Sequence, residues 1–228
     1  QELIDHASPG DTIHLAAKIY HGPVIITKPL TLRGVPQQTI IQNNSVGTVI
    51  KIDSDRVKLQ HLILEKSGKI HDTLDAGVAA KGNNLVFSHL VIRDCLFGIS
   101  LEQVNNSVIE FNEISSKDIS MPFRGDALRM YASNNNIVRG NSIHESRDMV
   151  IWYSEGNLIT QNYGTHNRYS LHFMYAGKNI ARDNIFEHSD VGIFLMYSKE
   201  MQLENNIIKY SSNKKMGLCI GLKESSGV

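Results

Sequence analysis

The chain has 228 residues, and its 23 basic side chains balance 23 acidic ones, so its formal net charge is zero when histidine is neutral. A strongly cationic face is the simplest basis for binding nucleic acid or an anionic membrane, and this composition gives no sign of one, so no nucleic-acid partner is expected. Hydrophobic residues make up 41% of the chain, and no apolar run approaches the roughly 18 residues of a membrane-spanning helix.

The first 40 residues predict a short helix followed by strands. The helix is predicted before Ser8, where the turn-forming sequence SPGD begins. The pieces TIHLA, VIIT and LTLRG that follow are rich in β-branched and aliphatic residues, as strands are. We interpret residues 1–9 as a cap, because the open end of a stacked β-structure is an edge that invites pairing.

Asparagine recurs at a nearly constant interval through the rest of the chain. Intervals of 21, 22 and 22 residues separate the asparagines of the similar phrases RGNSI, TQNYG, RDNIF and ENNII, which are Asn141, Asn162, Asn184 and Asn206. Asn112 extends this column after an interval of 29, so we predict an inserted loop at residues 115–124. Two further columns keep the same register: Ser133, Ser154, Ala176 and Ser198, and Asn136, Asn157 and Asn179. Such coincident columns indicate a repeat of about 22 residues.

The segments between these markers are short, β-branched or aromatic, and bounded by Asn, Gly, Ser and Asp. The sequence therefore predicts an all-β fold, a right-handed parallel β-helix of about 22-residue coils with a short N-terminal helical cap, as a single domain over residues 1–228. Asparagines at the same corner of successive coils would form an amide ladder, so we interpret them as structural. Because the chain ends in the middle of a coil, at LCIGLKESSGV, we expect further C-terminal coils.

Alignment of the coils predicts which side chains face inward. Two uniformly apolar columns are predicted to point into the core: Leu128, Met149, Leu171 and Ile193, and Met130, Ile151, Phe173 and Leu195. The alternate columns face outward and remain largely apolar: Arg129, Val150, His172 and Phe194, and Tyr131, Trp152, Met174 and Met196. An exposed apolar strip indicates a surface for a partner or ligand. The alternative interpretation, that a loop or further coils cover the strip, stays open.

Soft metal ligands fall on this outward strip. His172 and Met174 share a face two residues apart, and Met196 is predicted to lie beside Met174 in the next coil. Thioether and imidazole together suit Cu(I). His166 and His188, 22 residues apart at a neighbouring corner, are predicted to add to the same copper site. Methionine also fills gaps in apolar cores, so packing is the competing explanation.

Charged residues gather at one predicted corner of the coils. Paired acids on an outer face are the machinery of polysaccharide-cleaving enzymes, so a carbohydrate-binding or polysaccharide-cleaving β-helix that uses Asp126 and Asp148 is an alternative function. Because acids alternate with arginines here, we favour a mutually neutralising ion-pair ladder over an acid/base pair with separated pKa values. The predicted ladder contains Arg124, Asp126, Arg129, Arg147, Asp148, Arg168 and Asp190.

Several longer phrases resemble the NosD family: RGDALRMYASNNNIVRGNSIHESRDMVIWYSEGN, RYSLHFMYAGKNIARDN, VGIFLMYS and GLCIGLKESSGV. The opening PGDTIHLA, with YHGPVIITKPLTLRG after it, is similar to the same family. The resemblance implies a periplasmic, non-enzymatic accessory factor that handles or delivers copper for assembly of the CuZ centre during maturation of nitrous oxide reductase. It implies as partners nitrous oxide reductase, membrane ABC transporter subunits and a copper-chaperone lipoprotein. It implies no ligand set, so the predicted copper ligands depend on face and spacing alone.

Overall fold

Each coil of the chain contributes one short strand to each of three parallel sheets. A computed structural model describes residues 1–209 and 217–228, so the last of the seven methionines, Met216, lies outside the described residues. Within the described residues each sheet has nine strands, and neighbouring strands in a sheet come from successive coils. This topology confirms the predicted parallel β-helix, whose crossovers are right-handed as in nearly all parallel β-structures.

The elements run as follows. The helix α1 spans Glu2–His6, and the first strands are β1 Thr12–His14, β2 Ile19–His21, β3 Val24–Ile26, β4 Thr31–Arg33, β5 Ile40–Gln42, β6 Ile50–Asp53, β7 Lys58–Gln60, β8 Ile63–Glu65 and β9 Ala76–Asn83. The middle strands are β10 Val86–Ser88, β11 Val91–Cys95, β12 Phe97–Asn105, β13 Val108–Glu110, β14 Glu113–Ser116, β15 Leu128–Tyr131, β16 Ile137–Arg139, β17 Ser142–His144 and β18 Asp148–Trp152. The last strands are β19 Leu158–Thr160, β20 Tyr163–Thr165, β21 Tyr169–Met174, β22 Ile180–Arg182, β23 Ile185–Glu187, β24 Val191–Met196, β25 Gln202–Glu204, β26 Ile207–Lys209 and β27 Leu218–Lys223.

We name the sheets by their strands. Sheet 1 contains β1, β4, β7, β10, β13, β16, β19, β22 and β25; sheet 2 contains β2, β5, β8, β11, β14, β17, β20, β23 and β26; sheet 3 contains β3, β6, β9, β12, β15, β18, β21, β24 and β27. A 3₁₀ turn at Met121–Phe123 lies between β14 and β15, in the segment where the sequence predicts an insertion. None of the described helices is long and apolar enough to cross a membrane.

Most corners between sheets from residue 106 onward share one local design. A residue with positive φ turns the chain, and a small polar residue follows it, as with Gln161 before Asn162 and His166 before Asn167. Left-handed backbone raises the conformational energy of residues other than glycine, and hydrogen bonds made by the residue that follows offset this cost. The buried polar side chain makes these hydrogen bonds to backbone groups of adjacent coils.

The asparagine column forms a continuous ladder at the corner between sheets 1 and 2. The Asn141 amide nitrogen Nδ2 donates to Asn162 Oδ1 at 2.9 Å and to the Ile109 carbonyl at 2.9 Å, and the Asn141 backbone N–H donates to the same Asn162 oxygen at 3.0 Å. The pattern continues through Asn112, Asn184 and Asn206. A second ladder of the same kind joins Asn136, Asn157 and Asn179. The structural interpretation of the asparagines is therefore confirmed.

The helix α1 covers one end of the solenoid core. Its Ile4 is buried against the apolar interior, with 5% of its surface exposed. The Lys28 ammonium donates to the carbonyls of Asp5 and Ala7 at 3.0 and 2.7 Å, which satisfies free carbonyls at the end of the helix. The predicted helical cap is therefore present on the first coil.

The two inward columns predicted for sheet 3 are buried in the structure, with every member at most 1% exposed: Leu128, Met149, Leu171, Ile193, Met130, Ile151, Phe173 and Leu195. The outward columns differ from the prediction of an exposed strip. Val150 and His172 are both only 5% exposed, and the other outward residues of these four coils are half-buried. Long neighbouring side chains on the same face, such as Phe194 beside His172, reduce the exposure of the strip.

Candidate metal centre

The outer face of sheet 3 brings two methionines together. Met174 in β21 lies directly opposite Met196 in β24, and Trp152 in β18 occupies the same position one coil earlier. Adjacent strands of a sheet are about 4.8 Å apart, so the two methionine side chains leave the sheet at neighbouring positions. Both methionines are half-buried on the outward face of sheet 3, so neither belongs to the buried core.

His172 lies on the same strand and face as Met174, two residues before it. Its ring stacks on Tyr169 with centroids 4.7 Å apart and meets the Phe194 ring edge-on at 5.6 Å. The Nδ1 atom is 3.4 Å from Oδ2 of Asp148. The Nε2 atom is buried and has no hydrogen-bond partner in the described part of the chain. An unpaired buried nitrogen costs about 1 to 3 kcal/mol, which a ligand at this position would recover.

Asp148 is held by an arginine as well as by the imidazole. Arg168 donates from Nε to Oδ1 of Asp148 at 2.9 Å and from Nη2 to Oδ2, which is the two-bond geometry of strong arginine–carboxylate pairs. Burial alone would raise the pKa of Asp148, but hydrogen bonds from His172 and Arg168 outweigh burial and hold the pKa below its ordinary value. Asp148 is therefore an ionised carboxylate whose two oxygens both accept hydrogen bonds.

Asp126 behaves in the opposite way. Burial, and then the negative charge of Asp148, raises the pKa of Asp126 to about 7, although Arg147 and Arg168 act against the rise. The pKa values of Asp126 and Asp148 are thus displaced in opposite directions, whereas we favoured a mutually neutralising ladder over such a pair. The reason is that Arg168 pairs with Asp148, so the arginines do not neutralise the two acids equally.

Two arginines of the predicted ion-pair ladder, Arg124 and Arg129, make contacts of other kinds. Arg124 donates to the backbone carbonyls of Ile119 and Glu145, at 2.7 and 2.6 Å, and not to a carboxylate. Arg129 lies over the rings of Tyr131 and Trp152, at 5.3 and 5.4 Å from their centroids. These arginines anchor loops and aromatic rings, so the ladder hypothesis does not describe them.

His166 and His188 lie at the corner between sheets 2 and 3. Their ring centroids are 5.5 Å apart. His166 Nδ1 is 2.9 Å from the Thr165 hydroxyl, and His188 Nε2 is 3.9 Å from the Glu187 carboxylate. The structure thus places Met174, Met196 and His172 on one face of sheet 3. His166 and His188 lie at the corner, where each contacts the residue before it in the chain.

The donor set on sheet 3 fits a soft metal ion. Across residues 1–209 and 217–228, no group of three or more His, Cys, Asp or Glu side chains is arranged to hold a metal. The set on sheet 3 is instead one imidazole and two thioethers, which suits Cu(I). The unpaired Nε2 of His172 is the observation that favours this fit over mere packing.

Sequence reasoning missed an aromatic stack beside the candidate centre. The rings of Tyr153, Tyr175 and Tyr197 stack in order, with centroids 5.0 and 4.8 Å apart, at the corner between sheets 3 and 1. Their spacing of 22 residues was the available signal. A groove of about 500 Å³ runs beside them and is lined by Asn134, Asn135, Tyr153, Glu155, Gly156, Tyr175 and Lys178. Because each ring covers its neighbour's face, the stack offers edges and not faces to a ligand.

The fold has many counterparts among solved structures. A family 28 exopolygalacturonase from Yersinia enterocolitica superposes with a TM-score of 0.76 at 12% identity, covering 99% of this chain and 60% of that one. The A-module of the mannuronan C-5 epimerase AlgE4 from Azotobacter vinelandii gives 0.50 at 14% identity, covering 86% and 68%. The PL6 family alginate lyase AlyGC gives 0.55 at 15% identity, covering 88% and 33%. At these identities the likeness shows the fold alone, and this chain spans only 60% of the exopolygalacturonase.

Sequence comparison is more specific than the fold. A search of curated proteins returned no match. The model of one family, described as "Periplasmic copper-binding protein (NosD)", matches residues 112–227, which is just over half of the chain. The matched segment contains His172, Met174 and Met196. On this match, which agrees with the sequence resemblance, the chain belongs to the NosD family of periplasmic copper-binding proteins.

Proposed function

We propose that this chain is a non-enzymatic periplasmic accessory factor that handles copper during maturation of nitrous oxide reductase and delivers it for assembly of the CuZ centre. Membership of a copper-binding periplasmic family supports the proposal. The single observation that carries it is the pairing of Met174 with Met196 on the face that also holds His172. Copper is the cargo in this proposal and not a resident cofactor.

The chemistry of the donor set suits delivery. Thioethers carry no proton, so Met174 and Met196 would bind and release Cu(I) without exchanging one, unlike cysteine thiolates. Both methionines are half-buried, which leaves room for a donor from another protein to approach the ion. His172, which is buried on the same face of the same strand, would add a nitrogen ligand.

We also propose the partners of this factor, which are nitrous oxide reductase, membrane ABC transporter subunits and a copper-chaperone lipoprotein. Half-buried residues of the types that anchor protein interfaces flank the methionines on sheet 3. Arg129 lies over Tyr131 and Trp152, so these three side chains form one preorganised patch. A protein that exchanges copper at Met174 would contact this patch.

Replacing both Met174 and Met196 by leucine tests the copper site. Leucine keeps the apolar volume and removes the sulfur, so the fold should persist. We expect Cu(I) affinity to fall more than about 100-fold, because even changes outside the ligand set cost 10- to 100-fold. The measurement is a titration of purified protein with Cu(I) against a competing chelator.

Met149→Leu provides a matched control, since Met149 points into the core and is 1% exposed. This variant should bind Cu(I) as the wild type does. Unchanged affinity in the double variant would remove the proposed site, and no Cu(I) binding by the wild type would remove the proposed function.

A carbohydrate-cleaving or carbohydrate-binding role is a second candidate. The observation in its favour is Asp126, whose pKa of about 7 suits a general acid near neutral pH. Glycoside hydrolysis also needs a second carboxylate that is free to act as nucleophile or base. Asp148 is instead occupied by Arg168 and His172, so it is poorly suited to that role.

We expect no reducing ends to be released when the protein is incubated with polygalacturonate or alginate, because the second carboxylate is occupied. A reducing-sugar assay for cleavage and a glycan array for binding together check this expectation. Release that disappears in Asp126→Asn would establish the second candidate in place of the first.

A further inference from the structure

We infer that Asp148, itself held by Arg168, is a positioning residue that keeps His172 in the tautomer with Nδ1 protonated and Nε2 free to bind the copper ion. The inference rests on the proposed function and extends it to residues that contact no metal. It concerns three side chains from two successive coils. Asp148 begins β18, Arg168 directly precedes β21, and His172 lies within β21.

The hydrogen bonds fix which imidazole nitrogen carries the proton. The guanidinium of Arg168 donates to both oxygens of Asp148, which is the pairing of an arginine with an ionised carboxylate. An ionised carboxylate only accepts hydrogen bonds. The Nδ1 atom of His172, 3.4 Å from Oδ2, must therefore be the donor in that contact. In the neutral imidazole, Nε2 is then left with its lone pair and no hydrogen.

The surroundings of Nε2 leave it available. The Tyr169 ring stacks on the imidazole, and the Phe194 ring meets it edge-on, so the ring plane is fixed by packing as well as by Asp148. The Nε2 atom has no hydrogen-bond partner among the described residues. A nitrogen lone pair that is held in a fixed direction, and is not engaged by the protein, is what a metal ligand requires.

The arrangement matches a general rule for metal-binding histidines. The imidazole nitrogen that does not bind the metal usually donates to a carboxylate or carbonyl, which fixes the tautomer and makes the other nitrogen a stronger donor. Arg168 in turn holds the Asp148 carboxylate in place through its two hydrogen bonds. Met174 and Met196 then supply the sulfur ligands on the same face.

The tautomer is measurable without copper. Long-range ¹H–¹⁵N correlation spectra of ¹⁵N-histidine-labelled apoprotein distinguish a protonated from an unprotonated ring nitrogen. We expect His172 to show a protonated Nδ1 and a bare Nε2 in the wild type. A protonated Nε2 in the wild-type apoprotein would overturn the inference, whatever the protein does with copper.

The variant that tests positioning removes both members of the ion pair, as Asp148→Leu with Arg168→Met. Replacing a buried pair by apolar residues of similar volume is often neutral for stability, so this double variant is expected to fold. Without its acceptor, His172 should shift towards the Nε2-protonated form that free histidine favours. Cu(I) affinity should then fall about 10- to 100-fold, as it does when an outer partner of a metal ligand is lost.

The control removes a more exposed arginine–carboxylate pair between neighbouring coils on sheet 1, as Glu110→Leu with Arg139→Met. Arg139 Nε donates to Glu110 at 2.7 Å, and the pair lies on a different sheet from His172. The control should keep the wild-type tautomer and the wild-type affinity. Wild-type tautomer and affinity in the Asp148 variant would overturn positioning while the proposed function stands. Absence of Cu(I) binding by the wild type would overturn the function, and the tautomer spectra would still decide the role of Asp148.

Discussion

Replacing Asn162 by alanine is expected to lower the free energy of unfolding by about 3 to 5 kcal/mol, because several buried polar groups lose their partners at once. Asn162 Oδ1 accepts from both the backbone N–H and the side-chain amide of Asn141. Its Nδ2 donates to the Val138 carbonyl and to Asn184 Oδ1, each at 3.0 Å. Asn162 is only 2% exposed, so water cannot readily replace these partners.

The measurement is urea unfolding followed by circular dichroism and by Trp152 fluorescence. Two probes are needed because a solenoid can unfold coil by coil and depart from two-state behaviour. Asn205→Gly is the control: Asn205 is exposed and has a φ of 51°, which glycine tolerates, so its effect should stay within about 0.5 kcal/mol. A loss below about 1 kcal/mol in Asn162→Ala would show that the ladder is not what stabilises the corners.

The ladder was predictable because its residues make the same hydrogen bonds in each of the coils from Asn112 onward. In the coils from Asn112 onward, most corner residues with positive φ are followed by a small polar side chain that hydrogen-bonds to backbone groups. This arrangement recurs with the coil, so the sequence recurs with it. The inward columns on sheet 3 were predictable for the same reason, since strand alternation and stacking repeat without interruption.

The environment of His172 could not be predicted in the same way. Its burial depends on Tyr169 and Phe194, whose positions follow from how particular side chains pack across coils and not from the period. The register between β18 and β21 also shifts by one residue between Asp148 and Val150. Spacing therefore placed His172 on the correct face of sheet 3, but it gave no indication that the imidazole is buried against an ionised carboxylate.

The charged corner shows a further limit of sequence reasoning. Alternating signs indicated neutralisation, but the protonation of each acid depends on burial and on which acid the nearest arginine contacts. Arg168 pairs with Asp148, so Asp126 is left beside a negative charge in a poorly solvated position. Two aspartates that look equivalent in the sequence therefore have pKa values displaced in opposite directions.

Asp126→Asn is expected to make the protein more stable than the wild type at pH 8, with a difference that is smaller at pH 5 and disappears only near pH 4. In the folded wild type the pKa of Asp126 is about 7, against an ordinary value of 3.8. Between these values the folded state holds a proton that the unfolded state has released, so raising the pH favours unfolding. Each unit by which folding raises the pKa of Asp126 corresponds to about 1.4 kcal/mol of lost stability at a pH above both values. The partial exposure of Asp126 reduces the expected difference at pH 8 to about 2 to 3 kcal/mol.

Asp126 differs from the other titrating groups in the pH range over which it changes the stability of the fold, and in the direction of that change. The lowered pKa of Asp148 stabilises the folded state above the ordinary aspartate range, and this contribution is lost only in acid, as the pH falls through that lowered pKa. His61, whose pKa is lowered by burial and by His89, also loses its stabilising contribution as the pH falls, here below about 6.5, which is opposite to the effect of Asp126. Histidine contributions are common to both proteins and cancel when the variant is compared with the wild type.

Urea unfolding of the apoprotein from pH 5 to pH 8 gives the comparison, with the exposed Asp183→Asn as a control that should follow the wild-type curve. If the difference between Asp126→Asn and the wild type does not grow with pH, then Asp126 is already ionised below neutral pH and has no proton to donate there, which also removes the basis for a glycan-cleaving role.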